Sequence, residues 1–360
     1  MHILRVTQNL YPGQKGGGSY HIHAMSRDQS AKGHEVTVLT TRDDDAQPRT
    51  ERRDGYQIVR LDPWTTVLGN QITPSIASYL RANAGRFDVI HAHSHMYFST
   101  NLAALFRRLG DAPLAVTNHG LYSQSAPKWA ISAYLRTLGR WTFNRADTVF
   151  CYTDTDRRRV RDLGVTAPIE VVHNGVNVDR FTPDGPASNR IDHDGPVLLF
   201  VGRLVLGKRP IDAVRAVARL PGDLNAKLYV VGDGPLRPKL AKRANDAPVK
   251  LLGHVPYDQM PSVYRASDLL FLTSRVEGMP RAVLEAFATG TPVVSSDLEQ
   301  IAPTVERGGE AVDANEYANA IQRVLEHRDE LGSGARNVAR EEFRWRDTVS
   351  ETTAALTRLA

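Results

Sequence analysis

The sequence predicts an α/β protein built of two doubly wound domains with parallel sheets. Three observations carry that expectation. Short apolar strands alternate with helical stretches from one end to the other, the pattern of right-handed crossovers between parallel strands. At 360 residues the chain is long enough for two domains, each with its own core. Around 174–196 the alternation lapses into Asn-Gly, Thr-Pro and two Asp-Gly-Pro turns, and that density of turn residues marks a domain boundary.

In the front half the strands expected are 3–7, 35–40, 88–91, 114–117, 147–152 and 169–172. In the back half they are 197–201, 227–231, 249–252, 268–273 and 292–295. Each is a short run rich in Val, Ile, Leu and Phe, as strands buried on both faces require. Two such domains facing each other predict a ligand cleft between the carboxyl ends of both sheets.

Bulk properties narrow the class. Apolar residues make up 41% and charged residues 24% of the chain, ordinary for a globular protein. Cys151 is the sole cysteine, so no intrachain disulfide is possible; in its apolar run it reads as a small core residue. The N-terminus enters a strand directly, and no apolar run approaches the ~18 residues of a membrane span. A cytoplasmic protein is the expectation. Residues 1–176 hold 21 Lys/Arg against 15 Asp/Glu, while the remainder hold 24 against 25. That basic front half suggests an acidic partner or surface. It is too weak to argue for nucleic acid, and no nucleic-acid-binding motif accompanies it.

The most informative stretch is Glu277-Gly278-Met279-Pro280-Arg281-Ala282-Val283-Leu284-Glu285. It follows a strand and opens a helix expected over 282–289, with Pro280 at its first position. Glu277 is therefore expected in the strand-to-helix loop and Glu285 inside the helix. Free amides at that helix start suit an anionic ligand.

Other candidates surround it in sequence. Gly16-Gly17-Gly18-Ser19 lies between the first strand and a helix, where backbone can approach a phosphate or sugar. It does not spell the dinucleotide fingerprint. Gly202-Arg203-Leu204-Val205-Leu206-Gly207-Lys208-Arg209 follows a strand and nearly spells a P-loop. Arg209, however, stands where a Ser or Thr should hold Mg²⁺. Two fixed cations, Arg203 and Lys208, remain and suit a diphosphate.

His91, His93 and His95 alternate at a strand end and could share one side. No clear fourth zinc ligand accompanies them, so cleft-lining or structural roles fit better. His119 follows a strand, precedes a glycine turn and could hydrogen-bond a substrate hydroxyl. Asp43-Asp44-Asp45 contains Asp-x-Asp, a metal–diphosphate signature of another transferase fold, but in a polar loop. Along 128–145, Ile131, Tyr134, Leu135, Leu138 and Trp141 recur at helical spacing with Arg136, Arg140 and Arg145 elsewhere. A core-packed helix with a charged outer face fits that pattern better than a helix lying on an anionic membrane.

Taken together, the motifs resemble the glycosyltransferases of family 4, retaining enzymes that use nucleotide sugars and have the GT-B fold of two Rossmann-like domains. Gly17-Gly18 with Gly33-His34-Glu35-Val36 matches the family's opening, and Val172-His173-Asn174-Gly175-Val176 its interdomain segment. Gly202-Arg203-Leu204 with Lys208, Val231-Gly232-Asp233-Gly234-Pro235, Leu252-Gly253-His254-Val255, Glu277 to Glu285 and Gly290-Thr291-Pro292-Val293-Val294 follow in order.

The resemblance implies a role for each matched position. Arg203 and Lys208, beside Gly202, would neutralise the donor diphosphate, and Glu285 would accept from the ribose diol. Glu277 and the amides of Gly278 and Met279 would hold the transferred sugar and its phosphate. Gly17 and Gly18 would close over the diphosphate, His119 would contact the sugar, and the base would rest near Gly253-His254-Val255. Residues 343–360 would cross back, giving domains of 1–176 plus 343–360 and 177–342.

Fixed cations and helix-start amides stabilise a departing diphosphate without Mg²⁺, so neither metal nor cofactor is expected. In this family retention is attributed to same-face attack, so no protein nucleophile is nominated. Two segments differ from the family pattern. Asp297-Leu298-Glu299-Gln300-Ile301 stands where a Gly-Gly pair is usual, and 306–313 is a shorter loop.

The expected function is hexosyl transfer from a UDP- or GDP-sugar to a hydroxyl of a glycan or lipid-linked glycan, with peripheral contact at the inner membrane face. The alternatives are a non-catalytic nucleotide-sugar-binding subunit, a nucleotide-sugar epimerase, a P-loop NTPase and an Asp-x-Asp metal transferase.

Overall fold

The computed structural model describes every residue except 15, 108–111, 123–127 and 246, and of Lys128 the backbone alone. The chain divides into two compact units, Met1–His173 with Thr348–Ala360, and Asn174–Asp347.

In the front unit the strands are β1 (His2–Val6), β2 (Glu35–Thr41), β3 (Thr50–Arg53), β4 (Tyr56–Leu61), β5 (Thr65–Val67), β6 (Asn70–Ile72), β7 (Val89–His93), β8 (Leu114–Thr117), β9 (Thr148–Cys151) and β10 (Ile169–Val171). Eight of them form one sheet in the order β10-β9-β8-β7-β1-β2-β4-β3, while β5 and β6 make a separate hairpin. Only the β3–β4 pair in the large sheet is antiparallel. Alternation along β1 explains why both faces are covered. Leu4 and Val6 join one apolar cluster with Ile90 and Phe143, whereas Ile3 joins another with Val36, Val38 and Phe150. Ala355 and Leu356 belong to that second cluster, which places the last helical residues in the front unit. The Gln29 amide adds a 2.9 Å bond to Thr353 Oγ1. Cys151 is fully buried, and burial pushes its thiol up to about 12.

The back unit carries β11 (Val197–Val201), β12 (Lys227–Val231), β13 (Val249–Gly253), β14 (Leu269–Leu272), β15 (Val293–Ser296) and β16 (Gly309–Val312). They form an all-parallel sheet in the order β13-β12-β11-β14-β15-β16. Segment 306–313, expected as a short loop, contains β16, which pairs with β15 from Val293↔Gly309 to Ser296↔Val312.

The division falls after His173 rather than after Val176, and returns at 347/348 rather than 342/343. A bridge between Val176 and Arg344 accounts for both shifts. Val176 N–H donates to Phe343 O at 2.8 Å and Trp345 N–H to Val176 O at 2.8 Å, tying the two segments to the same unit.

The helix expected over 128–145 is α-helical at Lys128–Tyr134, π-helical at Leu135–Gly139 and α-helical again at Arg140–Phe143. The wide turn rotates the residues beyond it about the helix axis. Leu135 and Phe143 are buried as a core helix requires, but Leu138 faces solvent. No helix among the described residues is long and apolar enough to cross a membrane.

Candidate active site

Strand order sets the back unit's candidate site. β11 is flanked by β12 on one side and β14 on the other, so the direction of winding reverses between β11 and β14. Ligands of open α/β sheets bind outside the carboxyl ends of strands at such a reversal. The Gly202–Lys208 segment leaves β11 there, and the Glu277 loop leaves β14.

The two loops are laced together. Arg275 N–H donates to Gly207 O at 2.8 Å. Thr273 Oγ1 donates to Lys208 O at 3.1 Å and to Arg209 O at 2.9 Å. Arg209 takes a left-handed φ of 49° and leads into the next helix. This geometry brings Lys208 Nζ onto Glu277 Oε1 as an ion pair. Lys208 lays its methylenes over Gly202, where a Cβ would lie 3.7 Å from Cδ. Arg203 is exposed and makes no ion pair among the described residues. Glu277, Gly278 and Met279 are buried.

Gly232 is indispensable to this packing. Its φ is +132°, and a Cβ would stand 1.9 Å from the Gly202 carbonyl oxygen. Gly232→Ala should therefore destabilise the protein by roughly 3 kcal/mol or more, measured by urea unfolding. A loss below about 1 kcal/mol would show that the β11 and β12 loops can part.

The helix after Glu277 runs Arg281–Ala288, with Pro280 as the residue preceding it in extended conformation. The sequence pattern puts Pro280 one step later, inside the helix; its ψ of 124° excludes the helical state. Asn174 Nδ2 donates to Met279 O at 3.2 Å and Arg281 Nη1 to Gly175 O at 3.2 Å, which fixes the helix start.

Glu285, one turn in, is 5% exposed. Its Oε1 accepts from Tyr257 Oη at 3.1 Å and Oε2 from Tyr264 Oη at 3.0 Å. Arg281 Nε lies 3.5 Å from Oε1, the i,i+4 spacing on one helix face. Burial pushes the Glu285 carboxyl up, against the pull of Arg281 and the two phenols. Gly253 ends β13 and leads into His254 and Val255. Its carbonyl oxygen accepts from Gly232 N–H at 2.8 Å. His254 is exposed and Val255 buried.

The front unit assembles a second set of candidates. Its first helix begins at Gly17, and a Cβ on Gly18 would lie 3.7 Å from His119 Nδ1. His119 shares its Nε2 with His93 Nδ1 at 3.1 Å and its Nδ1 with Tyr152 Oη at 3.1 Å. Both ring nitrogens are thus engaged by the protein, and a substrate hydroxyl would have to exchange with one of them. Burial pushes His119 down to about 4 although part of its edge is accessible. Beneath it, His91 Nε2 is 2.7 Å from Thr117 Oγ1 and its Nδ1 3.5 Å from Arg5 Nη2. Arg5 only donates, so Nδ1 must accept and Nε2 must carry the proton.

His91, His93 and His95 do not share one side. His91 and His93 stack at 4.3 Å. β7 ends at His93, and Ser94 has φ +64°. That left-handed step breaks the alternation and sends His95 to Phe143, at 4.5 Å, in the opposite cluster. No three His, Cys, Asp or Glu side chains gather in a metal-holding arrangement among the described residues. Asp44 and Asp45 are exposed, and Asp43 Oδ1 accepts from Gln71 at 3.1 Å.

Sequence reasoning missed Arg281, Tyr257, Tyr264 and Gln300. Arg281 was within reach, four residues before Glu285 at a helix start. The phenols come from two further segments, and nothing local links them to Glu285. Gln300 lies in the segment that departs from the Gly-Gly pattern; its side-chain amide donates to the Glu277 carbonyl oxygen, so the departure buttresses the loop.

The chain resembles known proteins along most of its length. The family model Glycosyltransferase Family 4 matches residues 15–180, and Glycosyl transferases group 1 matches residues 182–341. A D-inositol 3-phosphate glycosyltransferase of Geodermatophilus obscurus is 31% identical, over 97% of this chain and 86% of that protein. A GDP-mannose-dependent alpha-(1-6)-phosphatidylinositol monomannoside mannosyltransferase of Mycolicibacterium smegmatis is 28% identical, over 96% and 95%. Among solved structures, sucrose-phosphate synthase from Thermosynechococcus elongatus shares the fold with a TM-score of 0.84 at 21% identity, covering 99% of this chain and 98% of that one.

Proposed function

Because this chain belongs to the family 4, group 1 glycosyltransferases, we propose that it moves a hexose from a UDP- or GDP-sugar to a hydroxyl acceptor with retention of configuration and without a metal. The observation that carries the proposal is the pairing of Lys208 with Glu277 at the point where the back sheet reverses its winding.

Losing a nucleoside diphosphate builds negative charge on its phosphate. Lys208, held by Glu277, and the amides around Gly278 and Met279 are positive groups suited to take that charge without reorganising as it develops, and the exposed Arg203 adds a further cation. Glu277 keeps Lys208 in place and offers a carboxylate to the sugar hydroxyls. Glu285 takes the ribose diol, and the backbone at Gly253, His254 and Val255 takes the base. In the front unit, Gly17 and Gly18 would offer helix-start amides to a phosphate. His119 would exchange its Tyr152 hydrogen bond for a sugar hydroxyl. The acceptor hydroxyl then attacks on the face the diphosphate leaves, and a departing phosphate oxygen takes its proton. No protein nucleophile is consumed.

For the acceptor we favour a glycan or lipid-linked glycan met at an anionic membrane surface. The front unit's basic excess supports this, as do its exposed Trp64 and Trp129. The M. smegmatis relative, named as acting on a phosphatidylinositol mannoside, is consistent with such a substrate. No observation favours the non-catalytic or epimerase readings.

Calorimetry with UDP and GDP in EDTA tests the donor site. One nucleotide should bind, and Glu285→Ala should weaken it by about 30-fold, the size of a charged hydrogen bond to a buried carboxylate. Binding of neither nucleotide, or a requirement for Mg²⁺, would overturn this donor site.

A further inference from the structure

The proposed donor site gives Glu285 to the ribose, and the competition inferred for Tyr257 rests on that assignment. The two oxygens of Glu285 are not equivalent. Oε2 is held from within by Tyr264, which is completely buried. Oε1 is held by Tyr257, which is only partly buried and so lies on the open side. The Tyr257 hydroxyl donates to Glu285 Oε1 and accepts from Arg281 Nη2 at 2.8 Å. A ribose hydroxyl has the same donor-and-acceptor character and would need the same lone pair.

The Tyr257 ring is held by contacts that do not depend on its hydroxyl. Arg180 lies over its face at 4.7 Å, Arg281 at 5.9 Å, and Phe181 stands beside it at 5.6 Å. Moving the phenol oxygen off Glu285 would break its hydrogen bonds to Glu285 Oε1 and Arg281 Nη2.

We propose that the Tyr257 hydroxyl is a built-in surrogate for a ribose hydroxyl, which the incoming nucleotide displaces from Glu285, while Tyr264 and Arg281 stay and orient the carboxylate. Tyr257 then keeps the buried carboxylate satisfied until nucleotide arrives and sets the affinity for the nucleotide by competing with it. Tyr264 has the opposite task, since it supports the same carboxylate without competing.

The test uses whichever of UDP and GDP binds more tightly, its 2′,3′-dideoxy form, and the full chain. Tyr257→Phe should bind the ribonucleotide about 5-fold tighter, the effect of removing one competing hydrogen bond. The same variant should leave dideoxynucleotide affinity unchanged. Tyr264→Phe should bind the ribonucleotide about 5-fold more weakly. Both substitutions keep the aromatic ring, and a merely structural role for Tyr257 would not tighten binding, still less in a way that requires ribose hydroxyls. Unchanged or weakened ribonucleotide binding by Tyr257→Phe, with Glu285→Ala still harmful, overturns the surrogate role alone. Equal binding of the ribo- and dideoxynucleotides by wild type, or binding of neither UDP nor GDP, overturns the ribose assignment of Glu285 and the surrogate with it.

Discussion

Glu277→Gln should bind nucleotide within about threefold of wild type and lose roughly 10² to 10³ in kcat, the range seen when one charge-stabilising group is removed. The substitution keeps shape and removes only the negative charge. Glu277 is 5% exposed and forms its ion pair with Lys208. The backbone carbonyl of Glu277 is held separately by Gln300, so the loop should survive the change. On the proposed function, what is lost is the carboxylate that pairs with the Lys208 ammonium and would receive the sugar hydroxyls. Those interactions matter most when charge is building on the diphosphate, so the loss falls on kcat rather than on nucleotide affinity. Transfer to an acceptor, or slow hydrolysis of the donor in its absence, reads the effect. An unchanged kcat would remove Glu277 from the chemistry and leave it a structural role.

Acid should destabilise the front unit steeply, beginning near pH 6. His91, His93 and His95 are buried, and burial holds His91 and His93 well below the usual histidine range and His95 down at about 3. A depressed folded pKa means the unfolded chain takes up protons first. The stability is therefore complete above about pH 6.5 and is lost as pH falls toward the folded value. Each histidine that stays neutral costs about 1.4 kcal/mol per pH unit in that window. For His95 the full loss amounts to roughly 5 kcal/mol by about pH 3, comparable with the whole stability of a domain. His91 and His93 act in the same direction.

His95 isolates the effect. Neither of its ring nitrogens has a hydrogen-bond partner among the described residues, and its ring already stacks on Phe143. His95→Phe should melt no lower than wild type at pH 7 and clearly higher at pH 5. A variant whose melting temperature falls with pH as steeply as wild type would show that His95 does not carry the dependence.

The sequence made most of the parallel strands of both units legible, because they are plain apolar runs. It failed where strands are half exposed. β3 and β4 read Thr-Glu-Arg-Arg and Tyr-Gln-Ile-Val-Arg-Leu, joined by Asp54-Gly55 with φ of 47° and 88°. An Asp-Gly turn between alternating residues is a strong hairpin signal, but the charged letters of β3 hid it. β16 escaped notice because three of its four residues are only partly buried.

At the candidate site, residues lying on one loop or at one helix start could be placed from their order alone. Glu277 and Glu285, Arg203 and Lys208 are of this kind. Tyr257 and Tyr264 could not, since their meeting with Glu285 depends on how separate segments pack. The three histidines failed for another reason: a single left-handed residue, Ser94, overrode a period of two.

The front unit is closed by residues from the far end of the chain, with Ala355 and Leu356 in the same apolar cluster as Ile3. This inverts the usual order of events during synthesis, in which domains mature from the N-terminus onward. Everything Asn174–Asp347 requires has been polymerised before the front unit's last helical residues exist. The half of the protein made first is therefore the half completed last, and until Ala355 and Leu356 have been made the cluster around Ile3, Val36 and Phe150 lacks part of its apolar cover.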